Sequence, residues 1–383
     1  MRPWLILLLC ATLAACATPP AKHADKRFFS DAAFEAPSER IRAGDVFALS
    51  PAMKHYLERE IADKLRTRGR QQGLIDALYA KGELRLEYDS AMTRNAAQAF
   101  HARSGNCLSL VIMTAAFAKD LGLPVHYQTV LTDELWARGG DIHFLVDHIN
   151  LGLGRRLGEA SAGARRQDLV TIDFLPQLEV QTARVRQLEE KTVVAMYMNN
   201  RAAESLARAR LDDAYWWARE AVVQDPAFAR AYNTLGVVYR RHGELALAEA
   251  AMRHALLSEP SNPQVVANLA QVLSDQGRTA EAAALKQQLA KLEAEPPFHF
   301  FDRGRDAMAR GDYAAARDLF ERELARAPYY HEFHYWLAIA YGKLGDAQQA
   351  GKHLALAMET STTRGDHDLY AGKLDKLRGH SLQ

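Results

Sequence analysis

Hydrophobic and polar positions divide the 383 residues into segments of different character. Trp4 to Ala15 is an almost wholly apolar run, shorter than the roughly 20 residues a membrane-spanning helix needs. Residues 17–43 hold Ala, Pro, Lys and Asp with little apolar periodicity, which predicts a tether. Regular patterning begins near Asp45 and holds to about Glu190. Within it, an apolar run from Val111 to Leu121 follows Arg103-Ser104-Gly105-Asn106-Cys107-Leu108-Ser109-Leu110. That pattern predicts a helix starting at Cys107 and capped by Ser104 or Asn106. Gly105 permits a tight approach to the helix start, and Gly122-Leu123-Pro124 closes the run. Three strands are predicted next, at Val125–Val130, His143–Leu151 and about Leu169–Phe174, with a polar turn between the first two.

The C-terminal half has a 34-residue period. Gly243, Gly277, Gly311 and Gly345 keep that step, as do Ala214, Ala248, Ala282, Ala316 and Ala350. Pro226 and Pro260 keep it too, with Pro328 two periods on. Tyr232, Leu235, Gly236, Tyr239, Ala248, Ala255 and Pro260 make up the clearest unit, and it resembles the tetratricopeptide repeat. Small residues at 236 and 248 let two helices approach, the glycines permit left-handed caps, and the prolines stop the second helix of a unit. Each unit leaves an apolar face open, so the units must stack. Five are expected, starting near 195, 229, 263, 297 and 331, with Arg201 and Arg303 at a position that is usually apolar. Residues 366–379 read as a polar capping helix. Asn199 and Asn233 fall at one repeat position, where they either hydrogen-bond an extended peptide in the groove or are simply solvated.

The N-terminal run ends in Leu13-Ala14-Ala15-Cys16, which resembles the bacterial lipobox. The resemblance implies cleavage before Cys16, lipid on that cysteine, and, with Ala17 following, an outer-membrane destination facing the periplasm. A plain signal peptide cut near Ala15 or Ala17, or an uncleaved anchor, are the other readings. The chain holds three cysteines. Cleavage removes Cys10 and lipid occupies Cys16, so Cys107 is left as the one free thiol in an oxidising compartment. Forty-eight basic against 47 acidic side chains give a formal net charge of +1, which argues against nucleic acid as a partner. Hydrophobic residues are 48% and charged residues 25%, a mix that excludes disorder and a polytopic membrane protein.

A cysteine in the first turn of a helix sits at the positive end of the helix dipole, which favours the nucleophilic thiolate. A histidine strand and an aspartate strand follow it. That order, with Gly-Asn-Cys, Gly-Leu-Pro, His-Ile-Asn and Ile-Asp-Phe, resembles the transglutaminase-like superfamily with its papain-like core, over roughly residues 80–180. The nearest subgroup is bacterial transglutaminase-like proteins fused to tetratricopeptide repeats. The resemblance implies a triad of Cys107, His148 and Asp173, 41 and 25 residues apart. His143 competes with His148, but the two are five apart and so lie on opposite strand faces. Asp147, next to His148, faces away from it, and His126 and Tyr127 read as ordinary strand packing.

The implied chemistry is thiolate attack on an amide carbonyl to give a thioester that water or an amine resolves. The Cys107 backbone N–H would hold the oxyanion, with Gln128 or Asn106 as the second donor. No aromatic residue follows His148 and no calcium-loop motif is present, a departure from cross-linking transglutaminases. Neither a metal nor a cofactor is expected.

The expected organisation is a signal peptide over 1–15, a tether over 16–43, an α+β transglutaminase-like domain over 44–190, an all-α tetratricopeptide-repeat solenoid over 191–362, and a capping helix and tail over 363–383. The expected function is a lipid-anchored cysteine amidohydrolase or acyltransferase of the cell envelope whose repeats dock a peptide or protein. The other reading is a catalytically silent scaffold for protein–protein assembly. The linker over 175–194 is rich in Gln, Glu, Leu and Arg rather than Gly and Ser, so the halves should dock, with Arg201 as a polar anchor toward the core domain.

Overall fold

The computed structural model describes residues 24–79, 84, 86–90, 92–139, 142–154, 169–174, 184–293 and 295–380, without the side chains of residues 130–139, 142–148, 184 and 380. The N-terminal region begins with short 3-10 turns. It continues through helices α1 (Pro51–His55), α2 (Ala62–Thr67), α3 (Arg70–Tyr79), α4 (Ala96–Ala102) and α5 (Cys107–Asp120). Asn106 caps α5 by accepting from the Ser109 N–H at 2.9 Å. A Cβ on Gly105 would stand 2.6 Å from the Ser109 Cβ, so only glycine lets the chain enter the helix this closely. Every residue from Cys107 to Ala118 is buried, which makes α5 the central helix of the region.

Two sheets accompany it. A parallel pair joins β1 (Glu87–Tyr88) to β2 (Ser104–Gly105). An antiparallel sheet of order β5-β4-β3-β6 is built from β3 (Val125–Gly139), β4 (Ile142–Leu153), β5 (Val170–Ile172) and β6 (Arg184–Leu188). β3 runs past Val130 through residues that read as a polar turn, with a register shift between Val130 and Leu135. α5 packs on β4, and Ile149, Leu151, Leu153, Tyr127 and Ile172 are buried with it in the core.

From α6 (Glu190–Ala207) the described residues form helices and turns. α6 pairs with α7 (Leu211–Gln224), α8 (Ala229–His242) with α9 (Leu245–Ser258), and α10 (Pro263–Asp275) with α11 (Thr279–Leu292). α12 (His299–Ala309) pairs with α13 (Tyr313–Arg326), α14 (His331–Lys343) with α15 (Ala347–Glu359), and α16 (Arg364–His380) packs on α15. Gly243, Gly277, Gly311 and Gly345 take φ of +95°, +77°, +78° and +84°, the left-handed geometry that ends a first helix. A Cβ on Gly236 would lie 2.7 Å from Met252 Cγ, which is why this crossing needs a small residue.

Residues 24–43, expected to be part of a free tether, are instead a strap packed on the first two helix pairs. Phe34 stacks on Tyr215 with centroids 3.9 Å apart. Tyr239 Oη donates to the Phe28 carbonyl at 2.6 Å, and Trp216 Nε1 to the Glu35 carbonyl at 2.6 Å. Ser38 donates from its N–H and its hydroxyl to Asp213, at 2.7 Å each. The strap lacks periodicity because an extended segment offers isolated side chains to separate pockets. Its buried Phe28 and Phe34 share one hydrophobic core with α5, β4 and the helices as far as Ala282. The two halves therefore dock. A separate cluster around Phe298, Phe301, Phe320 and Phe333 holds the fourth and fifth pairs.

The fifth pair contains a pH-sensitive contact. His334 Nδ1 lies 3.0 Å from His353 Nδ1, and His334 Nε2 lies 2.8 Å from the Pro328 carbonyl. If Nε2 donates to the carbonyl, the Nδ1 pair has room for one proton. Burial, then the neighbouring His334 and Lys352, pushes His353 down to about 4. A histidine with a depressed pKa in the fold adds stability that is present above its unfolded value and lost as pH falls through the folded one. Stability of this pair should therefore drop between about pH 6.5 and the folded value of about 4. The expected loss is about 1–2 kcal/mol once partial exposure is allowed for. Urea unfolding of His353→Gln across that range checks it: the variant should show a shallower slope, the remainder coming from His334, whose pKa burial also lowers.

Candidate functional site

Cys107 occupies the first position of α5 and is 3% exposed. The Tyr88 hydroxyl, brought alongside by the β1–β2 pairing, is within hydrogen-bonding reach of the Cys107 backbone N–H. Burial pushes the Tyr88 phenol up, and a negative charge on Cys107 adds to the shift. Tyr88 thus interacts with the main chain of the residue to whose N–H the sequence assigned the oxyanion. Asn106, one of the two candidate second donors, is engaged in capping: its Nδ2 donates to Thr93 Oγ1 at 2.9 Å while its Oδ1 accepts from Ser109. Gln128, the other, lies opposite Asn150 in the β3–β4 ladder and is half-buried.

Asp173 follows β5, which pairs with β4 through Leu151↔Ile172. Its Oδ2 accepts from Asn150 Nδ2 at 3.3 Å, and its carbonyl accepts from Tyr79 Oη at 3.0 Å. The His148 backbone pairs with Val130, two residues before Asn150 on the same strand. The side chains of His148, His143 and Asp147 lie outside the described residues, as does the whole of Cys16. Asn150 is 0% exposed and its Oδ1 has no hydrogen-bond partner among the described residues. The His-Ile-Asn motif contained this residue, but its role was read only from the histidine. His126 is exposed, and Tyr127 is packed with its hydroxyl donating to Glu190 at 3.0 Å.

A second polar cluster joins the halves. Arg201 is 5% exposed and its Nη2 reaches both Glu39 oxygens, at 2.7 and 3.0 Å. Its Nη1 donates to the Thr93 carbonyl at 3.4 Å, and its guanidinium lies 5.2 Å from the Trp217 ring centroid. Glu204 Oε1 accepts from the Thr93 N–H at 2.6 Å. Burial holds the Glu204 carboxyl above its usual range, against the opposing pull of Thr93 and Arg201. Of the two asparagines at the shared repeat position, Asn233 accepts from Asn268 Nδ2 at 3.0 Å, a bond between successive repeats, while Asn199 Oδ1 is buried without a hydrogen-bond partner among the described residues. No cluster of three or more His, Cys, Asp or Glu suited to a metal occurs among the described residues, and none of their helices is long and apolar enough to cross a membrane.

Family models described as tetratricopeptide repeat match residues 229–262, 263–285 and 307–366, so the C-terminal region is a solenoid of such repeats. Among solved structures, the chain is similar to YrrB, described as a TPR protein with an unusual peptide-binding site, at 21% identity over 47% of this chain and 92% of that one, with a TM-score of 0.25. It is similar to PilF of Pseudomonas aeruginosa at 22% identity over 51% and 96%, with a TM-score of 0.27. It is also similar to the Cut9–Hcn1 hetero-tetramer of the APC/C at 18% identity over 49% and 37%, with a TM-score of 0.29. No curated protein matches the chain.

Proposed function

We propose, from a C-terminal half built of tetratricopeptide repeats, that this protein is a scaffold that binds other proteins in the cell envelope. The observation that carries the reading is the repeat array itself, because stacked helix pairs present an extended surface suited to a partner segment. The burial of Cys107, with Tyr88 at its N–H, favours this reading over catalysis. A photo-crosslinking residue placed at Asn268 or Arg305 in cells should give one discrete adduct from both positions, and Cys107→Ser should leave it unchanged. Absence of an adduct at both positions would sink the scaffold.

A second reading retains the chemistry of Cys107, His148 and Asp173 on amide substrates. Its support is the placement of Cys107 at a capped helix start and of Asp173 hydrogen-bonded to the strand that carries His148. In it, His148 takes the thiol proton, the thiolate forms the thioester, and the imidazolium returns the proton to the leaving amine. Iodoacetamide should then modify Cys107 well below pH 8 and about tenfold more slowly in His148→Ala. Equal rates in native and His148→Ala protein would remove the pair.

The lipid anchor at Cys16, and with it an outer-membrane location facing the periplasm, belongs to the same proposal. Labelling with radioactive palmitate that disappears in Cys16→Ser tests it.

A further inference from the structure

Thr93, 1% exposed, belongs to the N-terminal region, yet its main chain is held by side chains of α6. Its N–H donates to Glu204 Oε1 at 2.6 Å, its carbonyl accepts from Arg201 Nη1 at 3.4 Å, and its hydroxyl oxygen accepts from Asn200 Nδ2 at 3.3 Å. A helix whose own backbone groups are paired can bind an extended segment only in this way, through side chains that match main-chain donors and acceptors. Three residues before Thr93, the Ser90 N–H donates to the Thr362 carbonyl at 2.9 Å and the Ser90 hydroxyl to Thr362 Oγ1 at 2.9 Å. Thr362 lies between α15 and α16, beyond the last helix pair. One short stretch of chain is thus held by the first repeat at one end and by the far end of the array at the other.

The grip on Thr93 has spare capacity. Among the described residues, Arg201 Nε, Glu204 Oε2 and Asn199 Oδ1 are buried without hydrogen-bond partners, Glu204 Oε2 having only the ion pair with Arg201 Nη1 at 3.8 Å. Buried polar atoms are rarely left so, because each costs about 1–3 kcal/mol, and three lie on neighbouring turns of one helix.

We propose that Ser90 and Thr93 are the protein's own occupant of a peptide-binding face on α6, and that a partner's extended segment bearing a serine or threonine displaces them. The inference rests on the scaffold reading and adds the chemistry of the partner: an extended, hydroxyl-bearing stretch whose main chain engages Asn200, Arg201 and Glu204. Binding would release Ser90 from Thr362, so occupancy of the first repeat would be felt at the last.

The test uses the full chain and a fluorescent peptide with the sequence of residues 86–95. Saturable binding is expected, with faster amide exchange at Ser90 and Thr93 of the chain when peptide is present. Thr93→Val in the chain weakens the internal occupant and should tighten peptide binding several-fold. Asn200→Ala loosens the internal occupant as well as the peptide, so it is read in the Thr93→Val chain, whose own segment offers Asn200 no hydroxyl; there it should weaken peptide binding several-fold. No saturable binding to either native or Thr93→Val protein at millimolar peptide would overturn the proposal, as would binding to the Thr93→Val chain that is indifferent to Asn200→Ala. A chain that takes the peptide but gives no adduct in cells loses the scaffold reading and keeps this one; the reverse result loses only this one.

Discussion

Replacing Arg201 with alanine is expected to lower the unfolding free energy by about 3–5 kcal/mol, because a buried guanidinium is lost from a partly exposed Glu39, from the Thr93 carbonyl and from Glu204 together. The guanidinium is the hub between strap, repeats and N-terminal region: it holds both oxygens of Glu39, the Thr93 carbonyl and the face of Trp217. Its loss leaves Glu204, 3.8 Å from Nη1, as a buried carboxylate without its cation. Lysine should rescue only in part, because an ammonium cannot reproduce the two-pronged contact with Glu39. The deficit should also depend on pH. Burial already raises the Glu204 carboxyl in the native protein, and a raised carboxyl adds stability that is present below its unfolded value and lost as pH rises through the folded one. Without Arg201 that shift grows, so the variant should be weakest at neutral pH and should close on the native protein toward pH 5. Urea midpoints at both pH values decide it, and a gap that is equal at both would remove Glu204 from the account.

Phe34→Ala should have the second-largest effect, about 3–4 kcal/mol if the whole fold is measured. The ring is 7% exposed, lies parallel to Tyr215 at 2° and 3.9 Å, and stands 4.4 Å from the His242 ring. The strap is a local element, so its loss can appear as local opening before global unfolding. Chymotrypsin should then cut within 24–43 much faster in the variant while the fragment carrying α5 stays resistant. Unchanged cleavage there would show that the strap does not depend on Phe34. Because Arg201→Ala also frees the strap through Glu39, the double variant should fall short of the sum of the two.

What was legible in the sequence was local. The 34-residue step of the glycines is a statement about backbone conformation at the end of a helix, and each of the four has the positive φ it implies. The start of α5 was legible for the same reason, since Asn106 and the apolar run after Cys107 act within one turn. Arg201 was legible as an exception, a charge where the repeat wants an apolar side chain, and the exception is explained by the docked halves. The strap was not legible, because Ser30 and Tyr215 are 185 residues apart and an extended segment bound side chain by side chain has no period. Tyr88 over Cys107 and Ser90 on Thr362 were hidden likewise: they depend on how strands and distant helices meet, and tyrosine, serine and threonine suit countless surface positions. The candidate triad was legible as an order of residue types. Its geometry depends on strand register, which brought Asn150 to Asp173 in a way the order alone does not reveal.

The docked strap changes how far the molecule could range from an anchored Cys16. A free tether over 16–43 would have a contour of about 90 Å at about 3.5 Å per residue, enough to let the solenoid sweep a hemisphere several times its own width. The chain is already fixed at Asp25, whose side chain caps the turn that places Phe28, so nine residues with a contour of at most about 30 Å separate that point from Cys16. Such a mooring would hold the first two repeats, on which the strap is packed, within that reach of the bilayer. A partner embedded in the same leaflet would then meet the strap before any other part of the array.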